Sequence, residues 1–301
     1  MPRILIFIIV FLMPFSLKLF SGAWVQKKNS YYLKLAASYL RTGKEFNHLG
    51  RQQNILEESG SSTNNTFRDF RIIGYFEYGL TNRLTITSDF LFKFLASEWI
   101  SNETYFQDER FLLNTIGFAD LTISTRYVVL NRATVISIQP GFILPLGYDT
   151  TPENDGPRLG NGEIAFQTYL LFGQSFYPLP VYLTGGIGYR FRGGELHDEI
   201  LLNAEAGFTK DKFLIKLYFE GIKNTIAPPD IFGQTLELPL PGGVGVTPDI
   251  LFGDQDFAKI SPSIIYYLNK NISMQFELTK VAFGKNIISG TSYTFGIIFE
   301  K

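Results

Sequence analysis

Two histidines, His48 and His197, and no cysteine are all that this 301-residue chain offers for imidazole catalysis or soft-metal ligation. Zero Cys excludes a disulfide scaffold and Cys-ligated zinc or iron–sulfur sites. His197 is followed by Asp198, a pair that could activate water from an exposed loop, but one such pair is thin support for hydrolysis. No Gly-x-Ser-x-Gly nucleophile elbow and no phosphate-binding loop follow the N-terminal segment. A net charge of −1 argues against a nucleic-acid partner, which calls for a basic face. The sequence therefore points to no catalytic residue, no metal and no cofactor.

The charges that carry a pattern are spaced by two. Arg190 and Arg192 are one example, and Asp69, Arg71 and Glu77 another. Such spacing puts side chains on one face of a β-strand. From Tyr31 onward, segments of about ten residues alternate in period two and are enriched in aromatic and β-branched residues. Twelve are expected: 31–40, 69–80, 84–94, 119–130, 134–146, 163–172, 181–192, 199–208, 213–222, 257–268, 272–280 and 291–300. Phasing each strand gives one face, beginning Tyr31, Leu33, Leu35, Ala37, Tyr39, whose single charge is Lys280. The other face holds Lys34, Asp69, Arg71, Glu77, Asp89, Lys93, Asp120, Arg126, Glu163, Arg190, Arg192, Glu199, Glu205, Lys216, Glu220, Lys259 and Glu277. A soluble barrel with its apolar face inward would have to expel all of these. Lipid outside and a polar lumen inside satisfies both faces, since Arg or Lys on a lipid-facing strand costs about 2–4 kcal/mol at the midplane.

The connections agree. Those at 81–83, 131–133, 209–212 and 269–271 are tight, while 41–68, 95–118, 147–162 and 223–256 are long. Short periplasmic turns alternating with long external loops are the pattern of an outer-membrane barrel. Aromatics gather near both strand ends, as membrane interfaces require. Upstream, Arg3 precedes the apolar run Ile4–Leu17, too short for an ordinary membrane helix and suited to a secretory signal. With small residues at Ser21 and Ala23, residues 1–23 read as a signal peptide and 24–301 as the barrel domain. The fold expected is an all-β antiparallel transmembrane barrel of about twelve strands in the bacterial outer membrane. Its expected partners are outer-membrane lipid, a small molecule of unknown identity and, during biogenesis, the barrel-insertion machinery.

Several stretches carry a family resemblance in their order along the chain. They are Ala23-Trp-Val-Gln26, Tyr75-Phe-Glu-Tyr-Gly-Leu-Thr-Asn-Arg-Leu84, Gly117-Phe-Ala-Asp120 before Arg126-Tyr127, and Leu144-Pro-Leu-Gly147. Leu159-Gly-Asn-Gly-Glu163 and Gly188-Tyr-Arg-Phe-Arg192 follow. Together they resemble the outer-membrane family named for a meta-pathway of phenol degradation, which includes XagA-like proteins. Ala119 departs from the second Gly of a Gly-x-Gly-Asp stretch. Tyr293–Phe299 is similar to a C-terminal barrel signal, although Glu300 and Lys301 follow it. The resemblance implies a channel for aromatic or other apolar compounds, or a role associated with surface polysaccharide.

Three functions follow from these readings. The first is a channel or carrier lined by Arg71, Glu77, Asp89, Lys93, Asp120, Arg126, Glu163, Arg190, Arg192, Glu205, Lys216, Glu220, Lys259 and Glu277. The same charges also suit a structural ion-pair network, with Arg190 and Arg192 pairing to Glu163 or Glu205. The second is an outer-membrane enzyme; a phospholipase barrel needs a Ser-His pair on the lipid face, and no His falls there. The third is a non-transporting surface or structural barrel. Loop 41–68 is polar and expected to be mobile. Loop 223–256 combines five prolines with apolar residues, among them Ile231, Phe232, Leu236, Leu238, Leu240 and Phe252. It is the candidate lid, since proline lowers the entropy lost on ordering. Deleting about 230–250 is expected to leave the barrel folded and to raise small-solute uptake in liposome swelling; unchanged uptake by a folded deletion would remove the lid role.

Overall fold

The structure is a computed structural model that describes residues 22–55, 62–102, 108–150, 156–194, 196–226, 238–240, 243–245 and 254–301. Its strands are β1 (Tyr31–Thr42), β2 (Lys44–Phe46), β3 (Gln52–Asn54), β4 (Ser62–Gly79), β5 (Leu84–Ser101), β6 (Arg110–Asn131), β7 (Thr134–Pro145), β8 (Ala165–Ser175) and β9 (Val181–Arg192). They continue as β10 (Glu199–Lys210), β11 (Phe213–Asn224), β12 (Leu238–Leu240), β13 (Gly243–Gly245), β14 (Asp256–Tyr267), β15 (Ile272–Lys285), β16 (Ile287–Ser289) and β17 (Thr291–Glu300).

Twelve of these close a barrel in the order β1-β17-β15-β14-β11-β10-β9-β8-β7-β6-β5-β4. Every neighbouring pair is antiparallel, and β1 completes the ring against β17, with Tyr32 opposite Glu300. Closure pairs the backbone groups of both chain-end strands, which lipid cannot satisfy. All twelve sequence segments are strands, and alternation decides their faces. Leu35, Ile72, Phe142, Ile187, Ile215 and Phe295 are exposed on the outside, whereas Glu77, Arg126, Glu199 and Glu205 are buried on the inside. Lys280 is exposed on the outward face, as its phase requires. Large apolar side chains outside and carboxylates inside make this a transmembrane barrel, in contact with membrane lipid.

Aromatic rings run continuously around part of the outer rim. Phe70 meets Phe94 at 5.6 Å, Phe94 meets Phe92 at 5.1 Å, and Phe92 meets Phe118 at 4.8 Å. The row resumes with Phe142, Phe166 and Phe191 at 5.2 and 6.1 Å.

Two differences from the sequence reading concern the outer loops. Strands β4, β5 and β6 are 18, 18 and 22 residues long and rise well beyond their neighbours. At the top of β4, Ser62-Thr-Asn-Asn-Thr66 carries no apolar alternation. Arg68 pairs there with Glu98 at 3.2 Å, and Trp99 stacks on Phe111 at 5.4 Å. Secondly, the described part of 41–68 is ordered: β2, β3 and β16 form a three-stranded sheet, with the Phe46 ring 6.5 Å from Phe283.

A β-bulge in β6 matters for the lumen. Phe90 pairs with Leu121 but Phe92 with Phe118. The extra residue turns both Ala119 and Asp120 of the Gly117–Asp120 motif inward.

Ile215→Arg or Phe90→Arg is expected to cost about 2–4 kcal/mol of insertion free energy and to abolish heat-modifiable mobility on gels. Lys216→Gln, one residue from Ile215, keeps it. A silent Ile215→Arg beside an intolerant Lys216 would reverse the phase of β11.

Candidate functional site in the barrel lumen

The periplasmic end of the lumen is filled by the segment that precedes β1. Ala23 is fully buried and joins Val128, Val135 and Leu171 in an apolar cluster that also takes Trp24 and Val25. The Ala23 carbonyl accepts a hydrogen bond from the Ser137 hydroxyl. Trp24 lies edge-on to Tyr182 at 5.9 Å, and its ring covers Gly173, where a Cβ would come within 2.8 Å. The absence of a side chain at Gly173 is what seats the indole.

Polar groups fasten the same segment. Arg126 donates to the Trp24 carbonyl at 2.8 Å, to Glu77 at 3.0 Å and to Gln139 at 2.7 Å. Glu77 also accepts from Gln26 at 2.6 Å and from the Tyr75 hydroxyl. The Gln26 amide donates to Thr85 at 2.8 Å. Arg126 thus satisfies wall and segment together, and both members of its ion pair are buried.

Higher in the lumen, Lys216 pairs with Glu205 at 2.8 Å, and Glu205 accepts from Tyr182 at 2.6 Å. Lys34 shares this layer with Glu277, Lys216 and Glu205. Glu277 accepts from Gln275 at 3.0 Å. Lys259 lies 3.9 Å from Glu220 and sits 3.9 Å above the Phe257 ring. Asp89 on β5 is the register partner of Thr122 on β6. Arg71 and Lys93 are register partners on β4 and β5; Asp69 binds Arg71, and Lys93 donates to the Leu159 carbonyl at 2.6 Å.

The mouth is capped by apolar side chains. Ile55, Phe67, Leu95, Ala119, Leu159 and Ile288 form one buried cluster, with Leu40, Leu91 and Tyr148 against it. Three of its members come from outside the barrel wall: Ile55 follows β3, Leu159 lies in the β7–β8 connection, and Ile288 is on β16. Gly117 makes room, since a Cβ there would stand 2.7 Å from Leu159. Tyr148 ties its loop down by donating to Asp120 at 2.6 Å and accepting from the Gly162 amide at 2.8 Å. Burial, together with the Asp120 hydrogen bond, holds the Tyr148 hydroxyl well above the ordinary tyrosine range.

Beside the cap, Arg192 sits between two carboxylates, Glu199 at 3.0 Å and Asp254. Arg190 pairs with Glu199 at 2.6 Å. The partner of both arginines is therefore Glu199, their neighbour on β10, rather than Glu163 or Glu205. Glu163 lies ahead of β8, its carboxylate against Gly193 and Gly194. His197 pairs with Asp254 through Nδ1, whereas Asp198 accepts from the Arg192 amide at 3.0 Å and the Tyr189 hydroxyl at 2.9 Å. The adjacent His-Asp couple is thus divided between two structural contacts. Asp254 and Asp256 fix one end of the long 225–255 connection, and the Thr225 amide fixes the other by donating to Asp198 at 2.9 Å.

Of the candidate lid, Ile231, Phe232, Leu236 and Phe252 lie outside the described residues. Leu238–Leu240 pairs antiparallel with Gly243–Gly245 as β12 and β13. The apolar cap from other loops and the Trp24 segment were both missed by the sequence reading. Alternation is silent on side chains outside strands, although Trp24 at the start of the barrel domain and Gly173 opposite it were visible.

No protein-family model matches the sequence, and no curated protein matches it. Among solved structures, the chain is similar to the COG4313 outer membrane channel from Pseudomonas putida F1, with a TM-score of 0.62 at 12% identity over 93% of this chain and 98% of that one. The KdgM porin matches with a TM-score of 0.44 at 12% identity over 88% and 98%. A TodX monoaromatic hydrocarbon channel mutant matches at 0.44 and 9% over 93% and 91%. The first of these likenesses extends to the whole fold. With the inverted faces described above, it makes this chain a bacterial outer-membrane β-barrel.

Arg126→Met leaves Glu77 buried without its counter-ion, which costs about 3–5 kcal/mol for a broken buried pair. In a Trp99→Phe background, where Trp24 is the sole tryptophan, this variant is expected to red-shift tryptophan emission and to open residues 24–30 to protease. Unchanged emission would show that Arg126 does not hold the segment.

Proposed function

We propose that the protein is an outer-membrane channel for small, apolar or aromatic molecules. The observation that carries this reading is the mouth cluster. Ile55, Leu159 and Ile288 place an apolar surface directly above a polar, ion-paired lumen, and all three belong to loop elements. Such elements move without breaking barrel hydrogen bonds. A small apolar solute docks on that surface and displaces it. Below, the charges satisfy one another, so the wall has little net field with which to select ions.

The resemblance to the phenol meta-pathway family supports the same substrate class. In this reading the protein makes and breaks no covalent bonds. It reaches its place through the barrel-insertion machinery, which the C-terminal strand Tyr293–Phe299 is suited to engage. A second reading, a surface or structural barrel that transports nothing, is favoured by the filling of both ends.

Liposome swelling separates the two. Leu159→Ala combined with Ile288→Ala thins the cap, and removal of residues 24–28 opens the other end. Each is expected to raise the uptake of small neutral solutes severalfold over the intact protein, and both together more than either. Folded variants as impermeable as the intact protein would support the non-transporting barrel.

A further inference from the structure

The outward face of the barrel is uncharged between its rims. At the extracellular rim its charges do not cancel. Arg41 on β1 and Arg68 on β4 are direct register partners, and like charges directly opposite one another destabilise a strand pair. Lys280 on β15 is the register partner of Thr291 on β17. Tyr39 faces Tyr293 between β1 and β17, so the same register continued by two residues sets Arg41 beside Thr291. One row across four neighbouring strands therefore reads Lys280, Thr291, Arg41, Arg68.

The row immediately below reads Leu278, Tyr293, Tyr39, Phe70, Phe94. This is the outer aromatic girdle, and such girdles mark the headgroup level. The cations stand two residues beyond it, about 5–7 Å higher along the strands. Among the described strand residues of this face, Glu98 is the one carboxylate, and it serves both Arg68 and Arg110. Among these strand residues, the four cations Lys280, Arg41, Arg68 and Arg110 thus share a single acid. Elsewhere on the rim the outward Lys223 is already taken by Asp256.

We propose that this face binds the phosphates of a bis-phosphorylated glycolipid of the outer leaflet, of the lipid A class. The row from Lys280 to Arg68 spans three strand spacings, about 14 Å. Two phosphate groups on one headgroup engage its whole width, whereas a phospholipid with one phosphate engages only part. The acyl chains of the same lipid lie against the aromatic row beneath. The inference uses the fold and its orientation alone, and is independent of whether the lumen conducts.

Native mass spectrometry of the detergent-solubilised full chain tests it, with bis-phosphorylated lipid A, its dephosphorylated form and phosphatidylglycerol as probes. The wild type is expected to retain bis-phosphorylated lipid A much more tightly than the other two. Arg41→Gln, Arg68→Gln and Lys280→Gln combined should weaken it roughly a hundredfold, with each surface cation contributing comparably. Lys210→Gln with Lys212→Gln, on the opposite rim, should leave it unchanged. Equal retention of the dephosphorylated lipid by the wild type would overturn the proposal without any variant. So would equal retention of phosphatidylglycerol, or undiminished binding by a triple variant that keeps heat-modifiable mobility.

Discussion

Unsatisfied backbone groups cannot exist in hydrocarbon, and the rest of this structure depends on that constraint. It forces the sheet to close, so β17 must find β1 even though they lie at opposite ends of the barrel domain. Within the membrane, closure then assigns every residue of the twelve barrel strands to lipid or lumen. A charge on the wrong side costs kilocalories, so the charged residues of these strands gather inside. A twelve-stranded barrel is narrow, and charges crowded into it must find one another. The ion pairs of Arg126 with Glu77, Lys216 with Glu205, and Arg192 with Glu199 and Asp254 follow from closure as much as from any function. Buried pairs of this kind fix position more than they add net stability.

The two ends use the lumen wall differently. At the periplasmic end a continuous piece of chain is laid across it, its backbone captured by Arg126 and Thr85 and its one large side chain resting over Gly173. At the mouth, the closing groups come from separate loops and meet through apolar contact, with Tyr148 and Asp120 as the chief polar fastening. Hydrogen-bonded capture is directional and must be broken several bonds at a time. Apolar contact is non-directional and can be exchanged for contact with an apolar solute. The chemistry of the mouth is therefore the one suited to exchange with an apolar ligand.

Strand existence, number and phase were legible because lipid makes the outward face uniformly apolar; Phe70, Ile72 and Phe76 on β4 leave no alternative register. Strand length was not legible above the membrane. There Ser62–Thr66 has water on one side and a lumen mouth on the other, and alternation loses its contrast. Ion-pair partners were only partly legible. Arg190 and Arg192 announced a basic face, but the choice of Glu199 over Glu163 is set by cross-strand register, with Glu199 directly opposite Arg190. The contribution of Asp254 comes from far along the chain, beyond the reach of spacing. His197 and Asp198 illustrate the converse: adjacency in sequence on an extended chain points two side chains apart, and each found a different partner.

The contrast between the lumen and the outer rim follows from one electrostatic argument. Inside, a low local dielectric makes an unpaired charge expensive, so the protein supplies both signs itself, down to a hydrogen bond from Lys93 to a carbonyl. At the extracellular rim the headgroup layer is polar and rich in phosphate. An unpaired cation there costs little in the free protein and gains a partner from the membrane. Arg41 opposite Arg68 would be a poor choice for a strand pair judged in isolation, and the lumen tolerates its own cross-strand pair of cations, Arg71 and Lys93, only with Asp69 and the Leu159 carbonyl beside them. Among the described residues, the outer pair has Glu98 for one member alone. Among the described residues the charges of the lumen are thus met by the protein itself, whereas those of one outer face are in excess of their acids, at the level where anionic lipid is found.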